Sequence, residues 1–277
     1  MRVPFWPAWC TLSASLACAP SRDAAYDRAY AAAERDESAG RLAEAADAYE
    51  RAAAAAHRRR DRDQAAWSAA EVLSRAGRID EAVRRLDSLA SDASSEHQAE
   101  AALRAALLRI EHGDETRGWQ ELESVPRRFA SHGVSHAAVR RLVEHAERQG
   151  PEAARDELLA LERDLRTTEL GGLVAFLGAR HLDALGHEIA ARDAYLSVAD
   201  RWPYPGAFYD DALWHASLLD EKLGRAREAV ADLQRLVAVR ETTSLIGSYE
   251  RALYVPAMLR MGDLYRDLLN DHAQARS

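Results

Sequence analysis

Small and large apolar positions recur along the chain in a fixed order around six glycines, Gly40, Gly77, Gly113, Gly150, Gly186 and Gly224. The steps between them are 37, 36, 37, 36 and 38 residues. Five residues after a glycine comes a small residue: Ala45, Ala82, Gly118, Ala191, Ala229. Nine after comes a large one: Tyr49, Leu86, Leu122, Tyr195, Leu233. Twelve after stands another apolar or small residue: Ala52, Leu89, Val125, Val198, Leu236. Offsets of four and three set these on one helical face. Seven before the glycine a small residue recurs at Ala33, Ala70, Ala106, Ala179 and Ser217, where it lets two helices approach closely. The pattern predicts helical hairpins with glycine at each turn, too thin to bury their own apolar faces and stable only when stacked.

This order of small residue, turn glycine, alanine and large residue resembles the tetratricopeptide repeat, over roughly residues 24–277. The period is two to four residues longer than that family's usual 34. The resemblance implies an all-α, right-handed superhelical solenoid of about six hairpins plus a partial seventh, with a concave surface lined by the first helix of each hairpin. In the fourth unit, QGPEAARDELLAL (149–161), the small and large positions come one residue early and Val143 replaces the small residue. Gly150-Pro151 explains this as a tight turn, glycine ending one helix and proline starting the next. The seventh turn is expected at Asn270, 46 residues after Gly224, with the extra residues at Thr242 to Val255 and Pro256 near the start of the next helix. With Ser277 only seven residues beyond Asn270, the last second helix is half built and an apolar end is expected: either the reading frame is truncated, or a partner or another copy covers that end. The segment RWPYPGAFYDDALWHASLLDEKLG (201–224) resembles, more narrowly, bacterial envelope repeat proteins: outer-membrane assembly lipoproteins of the BamD type, the Tol-Pal-associated YbgF type, and the helical arms of lytic transglycosylases.

Composition fits a helical array: 277 residues rich in Ala, Leu, Arg and Glu, with 14 Gly and 8 Pro. The formal charge of -8 lacks the footprint of a phosphate-backbone binder, so nucleic acid is not the expected partner. The two cysteines, Cys10 and Cys18, both lie in the first 18 residues, which leaves no disulfide framework for the repeats. Arg2, the mostly apolar run Val3 to Ala17 and the small residues before Cys18 have the form of a secretory signal. The order SLAC resembles a bacterial lipoprotein cleavage site, although Ser15 stands where such sites usually carry leucine. The expected organisation is a signal peptide at 1–18 with lipidation at Cys18, a tether at 19–23 and a single repeat domain at 24–277.

Enzyme chemistry has little support. Ten histidines are spread over different units, no HExxH or GxSxG occurs, and no catalytic residue, metal or other cofactor is expected. His132 and His136 stand four apart, but Gly133 between them argues against a shared helical face. Gly171-Gly172 reads as a relaxed turn, and HRRRDR (57–62) as a solvated turn between two units. The better candidates come from helical geometry. Ten before each glycine stand Tyr30, Trp67, Leu103, Arg140, Phe176 and Trp214; six before stand Glu34, Glu71, Leu107, Glu144, Arg180 and Leu218. Aromatic residues in a groove are the usual anchors of binding energy. Trp67, Glu71, Phe176, Arg180 and Trp214 are therefore the expected contacts to a protein or peptide partner. The function expected is a non-catalytic, lipid-anchored scaffold of the bacterial envelope, at the outer membrane facing the periplasm. The alternatives are an accessory arm of a cell-wall enzyme that lacks its catalytic domain, and a cytoplasmic repeat adaptor.

Overall fold

The computed structural model describes residues 23–238 and 251–276. The proposed leader, Cys18 and all of the tether except Asp23 lie outside the described residues, as does much of the expected insertion. All regular structure among the described residues is helical. The helices are α1 (Ala24–Ser38), α2 (Leu42–Ala55), α3 (Arg59–Arg75), α4 (Ile79–Ser91), α5 (Gln98–His112), α6 (Glu115–Arg128), α7 (Val134–Gln149), α8 (Pro151–Leu165), α9 (Gly171–Ala184), α10 (Glu188–Arg201), α11 (Tyr209–Lys222), α12 (Ala226–Ala238) and α13 (Tyr254–Asp267), followed by a 3-10 turn at Gln274–Arg276. They pair as hairpins, and the chain divides into two compact units, one ending at Ala101 and the other starting at Ala102.

The six turn glycines all take positive φ, from 73° to 131°, the left-handed region that an L side chain resists. In five turns the amide after the glycine reaches back to a carbonyl five residues earlier: Arg41 to Asp36, Arg78 to Leu73, Asp114 to Arg109, His187 to Leu182 and Arg225 to Asp220, at 2.7–3.0 Å. That bond satisfies a carbonyl which the helix end would leave open. Asn270, at the predicted seventh turn, is the one non-glycine residue with positive φ (53°) among the described residues. Asparagine tolerates this region better than most residues. Gly150 caps α7 and α8 at once, with Pro151 at the first position of α8, so the turn is as tight as its sequence indicates.

The repeat positions form the cores. Ala45, Ala82, Leu86, Leu122, Ala191, Tyr195, Ala229 and Leu233 are fully buried, and so are Ala33, Ala70 and Ala106. Gly118 shows how close the helices come. A Cβ there would lie 2.7 Å from Ile110 Cγ1 and 2.8 Å from the Ala106 carbonyl oxygen. Gly118→Ala is therefore expected to lower stability by about 1–3 kcal/mol through overpacking, despite alanine's better helix propensity. At Gly178, in the middle of α9, a Cβ would meet nothing within 4 Å. Gly178→Ala should instead raise stability by roughly 0.5–1 kcal/mol, and denaturant unfolding of the two variants distinguishes the cases.

Exposed ion pairs link neighbouring hairpins about one period apart: Arg85 to Glu50 at 2.6 Å in the first unit, Arg127 to Asp164 at 2.8 Å and Arg235 to Asp200 at 2.6 Å in the second. Each contributes little by itself, because solvent screens exposed charges. The run HRRRDR is only partly a turn. Arg59 to Arg62 form the first turn of α3, Asp61 is buried, and Arg59 and Arg60 pair with Asp92 and Glu96 beyond α4. Local charge suggested a solvated turn. The residues instead open α3, with Asp61 in its first turn, where an acid favours the helix start, and Asp61 and Asp63 buried.

Candidate functional site

The first helices carry the predicted contact residues. In the first unit, Trp67 and Glu71 lie one turn apart on α3, both half-buried. The Trp67 ring stacks on His97, with centroids 5.3 Å apart and planes 12° from parallel. In the second unit, Phe176 on α9 sits half-buried among aromatic rings. Its centroid is 5.1 Å from Phe208, 5.5 Å from Tyr195 and 5.9 Å from His215. Tyr195 is fully buried, its hydroxyl has no hydrogen-bond partner, and burial pushes the phenol up to about 12. Trp214 on α11 is half-buried against the same cluster. Arg180, one turn beyond Phe176, is exposed and donates through Nη2 to Glu147 at 3.3 Å. Phe176, Arg180 and Trp214 thus belong to one hairpin pair, with the arginine exposed and paired to Glu147 and the rings held by packing.

Three features of the second unit have no counterpart in the sequence reading. The first is a buried charge network. Asp220 on α11 is fully buried, and Arg192 on α10 donates from Nε to both its carboxylate oxygens at 3.0 Å. Arg225 approaches the same carboxylate at 3.8 Å. Asp232 on α12, 6% exposed, shares a hydrogen bond with Asp220, while its Oδ2 has no partner. Burial, and then the Asp220 carboxylate beside it, push the Asp232 acid up to about 7. Both acids sit within apolar stretches, at Leu218-Leu219-Asp220 and Val230-Ala231-Asp232. That signal is real but is lost among 45 acidic residues.

The second feature corrects the reading of Gly171-Gly172. These residues open α9 and are buried under Trp202, whose ring lies 2.9 Å from a Cβ built at Gly171 and 3.4 Å from one at Gly172. Close approach, not a loose turn, requires glycine at 171, where a Cβ would also lie 2.7 Å from the Arg166 carbonyl oxygen. At Gly172 a Cβ would make ordinary contact with the ring. The third is a cleft of about 270 Å³ between α8, α9 and α10. His136 lies in α7 and His132 precedes it, so the two do not share a helix.

No protein-family model matches the chain, and no curated protein is significantly similar to it. Solved structures with a similar outline include a tetratricopeptide repeat protein from Parabacteroides merdae, at 13% identity over 91% of this chain and 89% of that one, with a TM-score of 0.41. The C-terminal part of a TPR repeat-containing protein from Cytophaga hutchinsonii is 11% identical over 89% and 91%, with a TM-score of 0.49. MamA of AMB-1 is 19% identical over 66% and 94%, with a TM-score of 0.37. The all-helical hairpin architecture rests on the turns and buried positions of this chain itself.

Proposed function

We propose that the protein is a non-catalytic scaffold of the bacterial envelope, held to the membrane by lipid on Cys18, which grips a protein or peptide partner on the faces of its first helices. The observation carrying this reading is the recurrence of a half-buried aromatic ten residues before the turn glycine, at Trp67, Phe176 and Trp214. A ring supported from behind by packing and open at its edge is rigid before a partner arrives, so little ordering entropy is lost on binding. Arg180, and Glu71 in the first unit, add charge selectivity beside these rings. The leader-like N-terminus and the narrow likeness of residues 201–224 to envelope repeat proteins support the location.

Two measurements test the two halves of the proposal. Fractionation with intact mass should find an acylated chain beginning at Cys18 in the membranes, and Cys18→Ser should release it; an unmodified chain retaining Met1 in the cytosol overturns the anchoring. For the groove, Arg180→Glu combined with Trp214→Ala should cut co-purification of the envelope partner by about tenfold, the loss of one or two anchor contacts. Arg180→Glu alone, at an exposed position, keeps the packing intact. Unchanged recovery with both variants folded places the partner elsewhere.

A further inference from the structure

The buried charge network of the second unit is also a joint between helices. Arg192 comes from α10, Asp220 from α11 and Asp232 from α12, so three side chains tie three helices together. Arg192 is already engaged: its Nε bonds both oxygens of Asp220, and its Nη1 donates to Asp193 at 3.1 Å. The hydrogen-bond partner of Asp232 is Asp220, and Asp232 Oδ2 has none. Carboxylates only accept, so a hydrogen bond from one acid to the other requires a proton on one of the two. At this point α11 and α12 are joined through a proton.

The surrounding charges do not replace that proton. On α10, Glu188 pairs with Lys222 at 2.6 Å, and Asp193 is exposed and held by Arg192. On α11, Glu221 receives Arg260 of α13. In the turn, Arg225 stands 3.8 Å from Asp220 with its side chain 39% exposed, so water screens its charge. On α12, Arg235 pairs with Asp200 at 2.6 Å. Arg192 and Arg235 favour the ionised form of Asp232 but are outweighed by burial first and the Asp220 carboxylate second, which push the acid up to about 7. In water the same side chain has its ordinary value of 3.8.

We infer that the proton shared by Asp220 and Asp232 is a latch: when it leaves, α12 lifts from α10 and α11 while the hairpins before it stay closed. Two buried carboxylates in contact repel strongly where water cannot screen them. In an array of hairpins each repeat contacts only its neighbours, so repulsion at one joint opens that joint first. α13 packs on α12 and follows it, since Gln234 donates to the Tyr265 hydroxyl at 3.1 Å. Leu233 and Leu236, fully buried on α12, still hold the helix by apolar packing. The open form is therefore a minor population, which hydrogen exchange detects. The closed joint holds the proton more tightly than the open one. Closure is strongest in acid, weakens as pH rises toward 7 and levels off above it.

The test is hydrogen–deuterium exchange of the full chain between pH 6 and pH 8, with each amide's rate divided by its intrinsic rate at that pH. Protection over Ala226–Ala238 should fall about tenfold across this range, the change that a carboxyl titrating near 7 when closed and at 3.8 when open produces. At pH 8 α12 should be less protected than α7 and α8. Its protection should also respond less to sub-denaturing urea, because a local opening exposes less surface than unfolding of the whole unit. Asp232→Asn keeps a donor toward Asp220 but has no proton to lose, and should hold the protection of α12 level with pH. The comparison within the wild type stands whether or not the variant folds. Protection of α12 that does not change with pH overturns the inference. So does equal protection and equal urea response in α7, α8 and α12, which means that the whole unit unfolds. A fall that persists in Asp232→Asn assigns the proton elsewhere and overturns it too.

Discussion

Replacing Arg192 with Met is expected to lower the stability of the second unit by roughly 3–5 kcal/mol, the usual cost of removing one partner from a buried ion pair. Asp220 is fully buried, and Arg192 supplies both short bonds to its carboxylate. Arg225, at 3.8 Å, does not replace those bonds but leaves an opposite charge beside the carboxylate, which sets the loss nearer the lower end. Methionine keeps the length and apolar stem of arginine, so the deficit reports the charge and not a cavity. Denaturant unfolding at pH 7 measures this, and a variant as stable as the wild type would show that the pair carries no weight.

Asp232→Asn should have the opposite effect, raising stability by about 2–4 kcal/mol above pH 7. The Asp232 acid titrates near 7 when folded, against its ordinary value of 3.8. Between those values the folded chain holds a proton that the unfolded chain has released. Asp232's own contribution to stability is then greatest below about 3.8, falls as pH rises toward 7, and changes no further above it. Asparagine presents the same outline as the protonated acid and can still donate to Asp220, but has no proton to lose. The asparagine variant should lack this slope between pH 4 and 7. A slope that survives the substitution assigns it to another group.

The hairpins were legible because their determinants are local. A left-handed turn after a helix selects glycine at Gly40, Gly77 and their successors, and even asparagine at Asn270, wherever the chain then folds. Burial at fixed offsets from those turns follows from helical periodicity alone, as Ala45, Leu86 and Leu233 illustrate. The fourth hairpin shows the same rule under a shift: Ala154 and Leu158 remain buried one residue early because Gly150 and Pro151 shorten the turn.

What packs between hairpins was not legible. Gly171 and Gly172 carry no mark of the Trp202 ring that covers them, thirty residues on. Asp220 and Asp232 look like ordinary helix-surface acids until three helices enclose them around Arg192. The aromatics at Trp67, Phe176 and Trp214 were placed on first helices by counting from the glycines, but their half-burial against His97, Phe208 and Tyr195 depends on which rings the neighbouring segments supply.

By itself, then, the sequence determined the repeat period, the turn conformations and the inward face of each hairpin, since these follow from backbone sterics and the period of one helix. Only the tertiary structure decided which acids are buried side by side, which glycines lie under an indole, and which side of α9 opens into a cleft. Those depend on contacts between residues far apart in the chain, whose energies arise only when water has been excluded between them.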